Sequence, residues 1–331
     1  MNEDILSSAL GSVRLRGAVF YYVSYRDAWA SEAPPAAEIA PAVMPGSEHV
    51  IEYHLIAKGD GWAATAGLPP VRLSAGDIVM FPGGDAHVMS SAPGLAPRRM
   101  DANWVYATQN VSKPIPIAYH HGVEHPGTAT PIESADTVVV CGFIGCDLRP
   151  FNPVIAALPR LMHLPGNEAG AWIRAVIEQA AAESRSPGPG SQSVLARMSE
   201  MMFVDAVRRY VVALPEQSSG WLAGMRDRHV GRALALLHEK PAEPWTIEAL
   251  GRRVGLSRSA LHERFVHFIG QPPMQYLANW RMQVASNLLC SSSANVAAVA
   301  LDVGYDSEAA FSRAFKRATG MPPAAWRRAR A

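Results

Sequence analysis

The chain has 331 residues, of which 49% are hydrophobic and 18% are charged, and its formal net charge is +1 at pH 7. This composition is typical of a globular protein and excludes an intrinsically disordered one, and the length predicts two or three domains. No apolar run approaches the length of a membrane span, and residues 1–17 lack the apolar segment of a secretory signal. Three cysteines are too few for a disulfide framework, so we expect a protein of the reducing cytoplasm.

The first 150 residues predict a β-rich domain. They are rich in glycine, proline and short β-branched stretches, which are Val71 to Leu73, Ile78 to Phe81 and Thr137 to Val140. Such stretches separated by turn residues are typical of strands. Within this part the chain follows the spacing G-x5-P-x-G-x2-H, formed by Gly76, Pro82, Gly84 and His87.

This spacing resembles the second signature of the cupin barrels. The resemblance implies a strand, a tight turn and a histidine that points into a barrel. Ser91 stands where cupins often have asparagine. The first cupin signature would need a histidine two residues after His54, where the chain has Ile56, and it leaves Asp60 as a distant carboxylate.

The candidate binding residues of this domain are His54, Asp60, Trp62, His87, Cys141 and Cys146. The two histidines are either hydrogen-bonded inside the barrel, or line a pocket for an organic effector, or hold a divalent metal. A metal would need further ligands, which Asp60 or the cysteine pair could supply. Trp62 is either a core aromatic or a platform for a ligand. The pattern fixes no cofactor, and a divalent metal is the one that it suggests.

Cys141 and Cys146 lie on one predicted strand. Residues five apart on a strand point to opposite faces, so a disulfide between them would need a turn or bulge at Gly142 or Gly145. Buried structural thiols are the commoner outcome, and redox sensing or metal binding are the alternatives.

From Pro153 onward the apolar spacing becomes helical. Three helical stretches are expected, at Val154 to Leu164, Ala171 to Glu183 and Ser193 to Leu214, with a flexible break over Arg185 to Gln192. The last stretch carries an apolar stripe, which is Leu195, Met198, Met202, Val207 and Val211. This stripe is a packing face, either within the chain or across a dimer.

Two segments near the C-terminus repeat one steric pattern. The first runs from Gly251 through Gly255 and Ser257 to Leu261 and Phe265, and the second from Ala300 through Gly304 and Ser307 to Phe311 and Phe315. A small residue permits close helix crossing, a glycine ends one helix and a serine caps the next. The pattern therefore predicts two helix-turn-helix units.

This region, about a third of the chain, resembles the double helix-turn-helix domain of the AraC/XylS family of bacterial transcription regulators. The resemblance implies a linking helix over Pro273 to Leu289 and two recognition helices in successive major grooves. It implies base contacts by the residues opposite the apolar face, which are Ser259, His262, Glu263, Glu308, Ser312 and Arg313. The front domain likewise resembles the cupin-type sensor of many such regulators.

The charge distribution favours nucleic-acid binding independently of any family. Residues 221–331 hold 15 Lys and Arg against 8 Asp and Glu, whereas the other 220 residues hold 15 against 21. A basic module gains affinity for DNA by releasing counterions. The candidate phosphate contacts are Arg252, Arg253, Arg258, Arg264, Arg281, Lys316, Arg317, Arg327 and Arg328.

The predicted fold class is an α+β multidomain chain: a cupin-like β-barrel over 1–150, a helical dimerisation region over 151–220 and an all-α double helix-turn-helix domain over 221–331. We expect a transcription regulator with double-stranded promoter DNA and a small-molecule effector or metal as partners, acting as a homodimer without membrane contact. Two rivals remain: a metal-dependent cupin enzyme with a helical appendage, and a protein whose helix-turn-helix units bind protein.

Overall fold

The computed structural model describes residues 4–100, 102–108, 110–120, 123–128, 130–166 and 172–330. The strands are β1 (Arg16–Tyr25), β2 (Ala30–Ala33), β3 (His49–Lys58), β4 (Asp60–Thr65), β5 (Val71–Ser74), β6 (Ile78–Phe81), β7 (His87–Ser90), β8 (Arg98–Arg99), β9 (Ile115–His120), β10 (Val123–Pro126), β11 (Thr137–Cys146) and β12 (Met162–Leu164).

The helices lie mostly in the second half of the chain. They are α1 (Ile5–Ser12), α2 (Ala36–Val43), α3 (Ala102–Ala107), α4 (Pro153–Ala157), α5 (Trp172–Arg185), α6 (Ser191–Ala213), α7 (Trp221–Arg226), α8 (Arg228–Glu239), α9 (Ile247–Val254), α10 (Arg258–Ile269), α11 (Pro273–Ser291), α12 (Val296–Asp302), α13 (Glu308–Thr319) and α14 (Pro323–Arg330). The α+β multidomain class is confirmed.

The chain forms two compact units. One, which we call the sheet unit, contains Leu15–Asp147 and Leu158–Tyr210. The other, which we call the helical unit, contains the N-terminal residues up to Arg14, the segment Leu148–Ala157 and Val211–Ala331. The helical unit therefore includes two pieces from the first 157 residues, and these borders do not coincide with the borders 1–150, 151–220 and 221–331 expected from the sequence.

The sheet unit contains two sheets. The seven-stranded sheet has the order β10-β9-β1-β11-β3-β6-β12, and the five-stranded sheet has the order β5-β4-β7-β2-β8. Side chains from both sheets share one apolar core, including Tyr21 and Phe143 from the larger sheet and Ala63 and Met89 from the smaller one. Among the described residues no strand pairing joins the two sheets, so they are open and do not close the predicted barrel.

The register of the larger sheet sets which side chains face this core. β11 pairs antiparallel with both β1 and β3, and Cys141 lies opposite His54. Because strand side chains alternate, Glu52, His54 and Ile56 share one face of β3. Tyr53 points to the other face, where its hydroxyl lies 2.7 Å from the hydroxyl of Ser199 on α6. A Cβ at position 142 would collide with the Tyr53 ring, so glycine is required there.

The helical middle of the chain differs from the prediction at one point. The stretch predicted as a helix from Val154 to Leu164 is the short helix α4 followed by β12, whose Met162 pairs with Met80 of β6. Strand pairing along an available sheet edge overrides the local helical spacing. The next two predicted helices are present as α5 and α6, although Ala171 lies outside the described residues.

The predicted apolar stripe of α6 packs within the chain. Leu195, Met202 and Val207 are buried, and Met198 and Val211 are half-buried. A different face of α6 exposes Val194, Met201 and Val212, the last with 79% of its surface accessible.

Candidate functional site

The C-terminal helices form the two predicted helix-turn-helix units. The first unit is α9 and α10, the second is α12 and α13, and α11 connects them, beginning at the predicted Pro273 and ending at Ser291. Ser257 and Ser307 each accept a backbone N–H bond at the start of the second helix of their unit. Gly255 and Gly304 have φ values of 76° and 81°, in the left-handed region that favours glycine.

The small residues of the pattern lie where there is little room for a side chain. A Cβ at Gly251 would lie 2.7 Å from the carbonyl oxygen of Leu256, in the turn between α9 and α10. Ala300, at the matching position of the second unit, is completely buried. The predicted glycine turns and serine caps are confirmed, and the close helix crossing stays a prediction.

The apolar faces of the two recognition helices point inward. Leu261 and Phe265 of α10, and Phe311 and Phe315 of α13, are fully buried. The predicted base-contacting side chains lie on the remaining surface: Ser259, His262, Glu263, Glu308 and Arg313 are exposed and Ser312 is half-buried. The surfaces needed to enter a major groove are therefore accessible.

The candidate phosphate contacts divide into two groups. One group has exposed side chains, namely Arg252, Arg253, Arg258, Lys316, Arg317 and Arg328. Arg258 also forms an ion pair with Glu248 at 3.1 Å. Such an exposed ion pair contributes little to stability, so it leaves Arg258 able to exchange its partner for a phosphate.

The second group has guanidinium groups that already bind the protein. Arg264 donates to both carboxylate oxygens of Asp227, which itself caps α8. Arg327 donates to the carbonyl oxygens of Leu289 and Ala294. These hydrogen bonds hold the helices together, so Arg264 and Arg327 have a structural role independent of any phosphate contact.

Arg281 belongs to this second group as well. Its guanidinium donates to the carbonyl oxygens of Pro241, Gly304 and Glu243 at 2.7, 3.2 and 2.8 Å. It lies on α11, so these bonds connect the linking helix to the chain before the first unit and to the turn of the second.

The sheet unit contains a partly open cavity of about 240 Å³. Its wall combines apolar and aromatic side chains with polar and charged ones. The apolar and aromatic residues include Tyr21, Val23, Tyr25, Met89, Ile117, Val139 and Phe143, and the polar and charged residues include Glu52, His54, His87, Arg98, Arg99, Glu124 and Cys141.

The polar side chains of the cavity form a chain of hydrogen bonds. Cys141 Sγ lies 3.0 Å from His54 Nδ1, His54 Nε2 lies 2.7 Å from His87 Nε2, and His87 Nδ1 lies 3.0 Å from the carbonyl oxygen of Asp85. Because a carbonyl only accepts, we assign the proton of a neutral His87 to Nδ1. It follows that His54 donates from Nε2 and accepts the Cys141 S–H at Nδ1.

Burial keeps these groups uncharged near neutral pH. It lowers the pKa of His87 to about 4 and that of His54 well below the usual value, with the neighbouring His87 adding to the second shift. Burial raises the pKa of the Cys141 thiol, so this thiol is not an activated nucleophile. It also raises the pKa of Glu52 to about 8.

Glu52 is the residue that sequence reasoning missed. Its Oε1 atom is buried without a hydrogen-bond partner among the described residues. Its Oε2 atom lies 3.9 Å from His87 Nε2, too far for a hydrogen bond. Glu52 lies two positions before His54 on the same strand face, and this period of two was the signal that could have identified it.

Three other candidate residues lie away from this polar group. Asp60 is exposed and 4.0 Å from Arg72, and Trp62 shares its face of β4, opposite to the core residue Ala63. Cys146 is buried but does not line the cavity. All three cysteines are free thiols, so the disulfide alternative does not occur.

The donor set of the cavity fits a divalent metal. Glu52, His54 and His87 each offer one ligand atom, and these atoms lie within 4.8 Å of one another. Imidazole nitrogens with a carboxylate suit first-row metals, and an ion there would give Glu52 Oε1 a partner. Binding would require His54 to move its proton from Nε2 to Nδ1, because one hydrogen bond now uses both Nε2 atoms.

Comparison with known proteins agrees with both regions. A family model described as cupin matches residues 4–212, and a model described as helix-turn-helix domain matches residues 250–329. An AraC-like transcription regulator of Streptomyces lividans is 30% identical over 87% of this chain and 90% of its own length. The chain belongs to the AraC-like transcription regulators.

Other members of the AraC-like regulators match along most of the chain. The HTH-type transcriptional regulator AlkR of Acinetobacter baylyi is 28% identical over 98% of this chain and 99% of its own length. MtrA of Neisseria gonorrhoeae, also an HTH-type transcriptional regulator, is 26% identical over 83% of this chain and 85% of its own length. This AraC-like chain is therefore a DNA-binding transcription regulator rather than an enzyme. No described helix is long and apolar enough to cross a bilayer.

Proposed function

We propose that this regulator binds specific promoter sequences with α10 and α13 and that a molecule bound in the sheet-unit cavity controls this binding. The observation that carries the DNA half is the pair of exposed polar faces on a basic C-terminal segment. Within one chain, the two recognition helices would enter successive major-groove segments about 34 Å apart.

The exposed side chains of the two helices differ in what they can read. Arg313 can bind a guanine edge with two hydrogen bonds, which is the commonest specific base contact. The first recognition helix offers Ser259, His262 and Glu263, of which Glu263 can accept a bond from cytosine. The exposed arginines and lysines around them would contact phosphates and supply affinity without sequence preference.

The second half of the proposal is that the cavity binds an effector, which is a small molecule, a metal or an oxidant. An effector changes DNA binding only if it binds one conformation of the protein more tightly than another. The cavity supports this role, because it offers both apolar burial and a specific hydrogen bond.

The path of the chain supports a coupling between cavity and DNA. β1 and β11 pair with each other and line the cavity, and each leads directly into a segment of the helical unit. In that unit Gln283 of α11 donates to the carbonyl oxygen of Ser12 and accepts the backbone N–H of Phe151. A ligand that moved either strand would therefore shift α11, the helix that links the two DNA-binding units.

We also propose that the protein acts in the cytoplasm as a homodimer held by α6. The exposed face of this helix carries Val194 and Met201 seven residues apart and Val212 eleven residues further on. A seven-residue repeat on a helix is typical of pairing with a second helix. Met201→Glu should shift the full chain from dimer to monomer in analytical ultracentrifugation. Gln192→Glu, an exposed control on the same helix, should leave the dimer unchanged. A Met201→Glu variant that is still a dimer would show that α6 does not form the interface.

The experiment that tests the DNA half is selection of bound fragments from genomic DNA with the purified full chain. We expect enrichment of fragments that share one sequence motif with two parts about one helical turn apart. Enrichment without a shared motif would leave only non-specific binding and would overturn the proposal of sequence-specific control.

A further inference from the structure

The size of the cavity limits what it can hold. A buried apolar cavity of about 150 Å³ is known to accommodate benzene. The cavity here, at about 240 Å³, has room for one ring with a short substituent.

The wall favours an aromatic molecule. Tyr21, Tyr25 and Phe143 line the cavity together with aliphatic side chains from the same sheet. The Phe143 ring already meets the rings of Phe20 and Tyr21 edge to face, which is the preferred geometry of aromatic pairs. A ring placed against this wall would gain contacts of the same kind.

The polar group of the cavity has one unsatisfied atom. The hydrogen bonds from Cys141 to His54, from His54 to His87 and from His87 to the Asp85 carbonyl use every nitrogen of the two rings. Glu52 Oε1 remains buried without a hydrogen-bond partner in the part of the chain that the structure describes. A buried oxygen in this condition is costly, and a ligand that donates a hydrogen bond to it removes the cost.

We propose that the effector of this cavity is a compound built on a single aromatic ring, with a hydroxyl group that donates a hydrogen bond to Glu52 Oε1. This inference rests on the proposed function, namely that the cavity is the effector site. It goes beyond that function by giving the chemical class of the molecule, and it makes Glu52 the residue that selects for the hydroxyl.

The test uses the full chain and four probes. They are 2-phenylethanol, propylbenzene as the matched compound without a hydroxyl, phenethylamine as the matched cation, and Zn²⁺ added after treatment with a chelator. Binding is measured by isothermal titration calorimetry, and each probe is also added to a DNA-binding assay. We expect 2-phenylethanol to bind at least tenfold more tightly than propylbenzene.

Two variants connect this preference to Glu52. Glu52→Gln keeps an oxygen that accepts a hydrogen bond and should retain the tenfold preference. Glu52→Leu removes it and should bind propylbenzene at least as tightly as 2-phenylethanol, because the buried hydroxyl then has no partner. Thermal unfolding of this variant shows whether it is folded. If Glu52→Leu does not fold, loss of the preference in Glu52→Gln would still contradict the role of the oxygen.

The possible outcomes separate this inference from the proposed function. Equal binding of the alcohol and the hydrocarbon by the unaltered chain would overturn the inference, and so would binding of none of the organic probes. If Zn²⁺ or phenethylamine alone binds and changes DNA affinity, the cavity is still an effector site but its ligand belongs to another class. If 2-phenylethanol binds as expected and DNA affinity stays unchanged, the proposed ligand class is supported and the proposal that the cavity controls DNA binding is contradicted.

Discussion

Arg281→Ala is expected to destabilise the helical unit while leaving the number of phosphate contacts unchanged. The half-buried guanidinium donates three hydrogen bonds to carbonyl oxygens, two before the first helix-turn-helix unit and one in the turn of the second. Hydrogen bonds that involve a charged group contribute about 1.5 to 3 kcal/mol each.

The expected loss of stability is smaller than the sum of these three bonds. The side chain is partly accessible to water, so the carbonyls of Pro241 and Glu243 can bind water once the arginine is removed. We therefore expect the free energy of unfolding to fall by about 2 to 4 kcal/mol, measured by chemical denaturation of the full chain. Arg281→Lys should lose most of this stability too, because an ammonium group cannot reproduce the three-way geometry.

DNA binding distinguishes this role from the phosphate contact expected from the sequence. Removal of one phosphate contact would reduce the slope of log K against log salt concentration by about 0.9. We expect the slope for Arg281→Ala to equal that of the unaltered chain, at a temperature where both are folded. Unchanged stability together with a slope reduced by about one would refute the structural role and support the phosphate contact.

Three further predictions concern the helical unit. Gly304→Ala should destabilise the protein by about 1 to 3 kcal/mol more than Gly320→Ala. Both residues have φ near 80°, but only a Cβ at position 304 would meet the backbone of Ala242, at 2.7 Å. Equal losses of stability in thermal unfolding would contradict this prediction. His238 has a pKa lowered by burial from 6.5 to about 3, so the unfolded chain takes up a proton below pH 6.5 that the folded chain does not. Protonation of His238 in the unfolded chain should lower the free energy of unfolding by about 1.4 kcal/mol between pH 7.5 and 5.5, and the His238→Gln variant should lack this loss. Identical pH profiles of stability for the two proteins would show that His238 does not cause it. Arg313→Ala should weaken binding to the selected site by about 1 to 3 kcal/mol with little effect on random DNA, and equal losses on both would make Arg313 a phosphate contact.

The sequence was most informative where each residue type has a steric task. Gly255, Gly304, Ser257 and Ser307 were predicted as turn and cap residues, and the structure has them in these roles. Such positions are readable because backbone conformation and capping depend on neighbours in the chain. The same holds for the cupin-like turn that ends at His87, although the barrel expected from it is two open sheets.

The parts that could not be predicted depend on distant contacts. The spacing of two places Glu52 on the same strand face as His54, but the polar group forms only because β6, β7 and β11 bring His87 and Cys141 close to His54. Likewise, α1 lies with the C-terminal helices because Ser12 binds Gln283 and Asn287, residues more than 270 positions away. Local patterns carry no information on such pairings.

Hydroxyl-radical footprinting of the full chain on a selected promoter fragment shows whether α10 and α13 contact DNA together. We expect two protected patches for each chain, on one side of the duplex and about one helical turn apart, and loss of the patch nearest α13 in the Arg313→Ala variant. A single protected patch per chain, or two patches that Arg313→Ala leaves unchanged, would contradict the claim that α10 and α13 read DNA together.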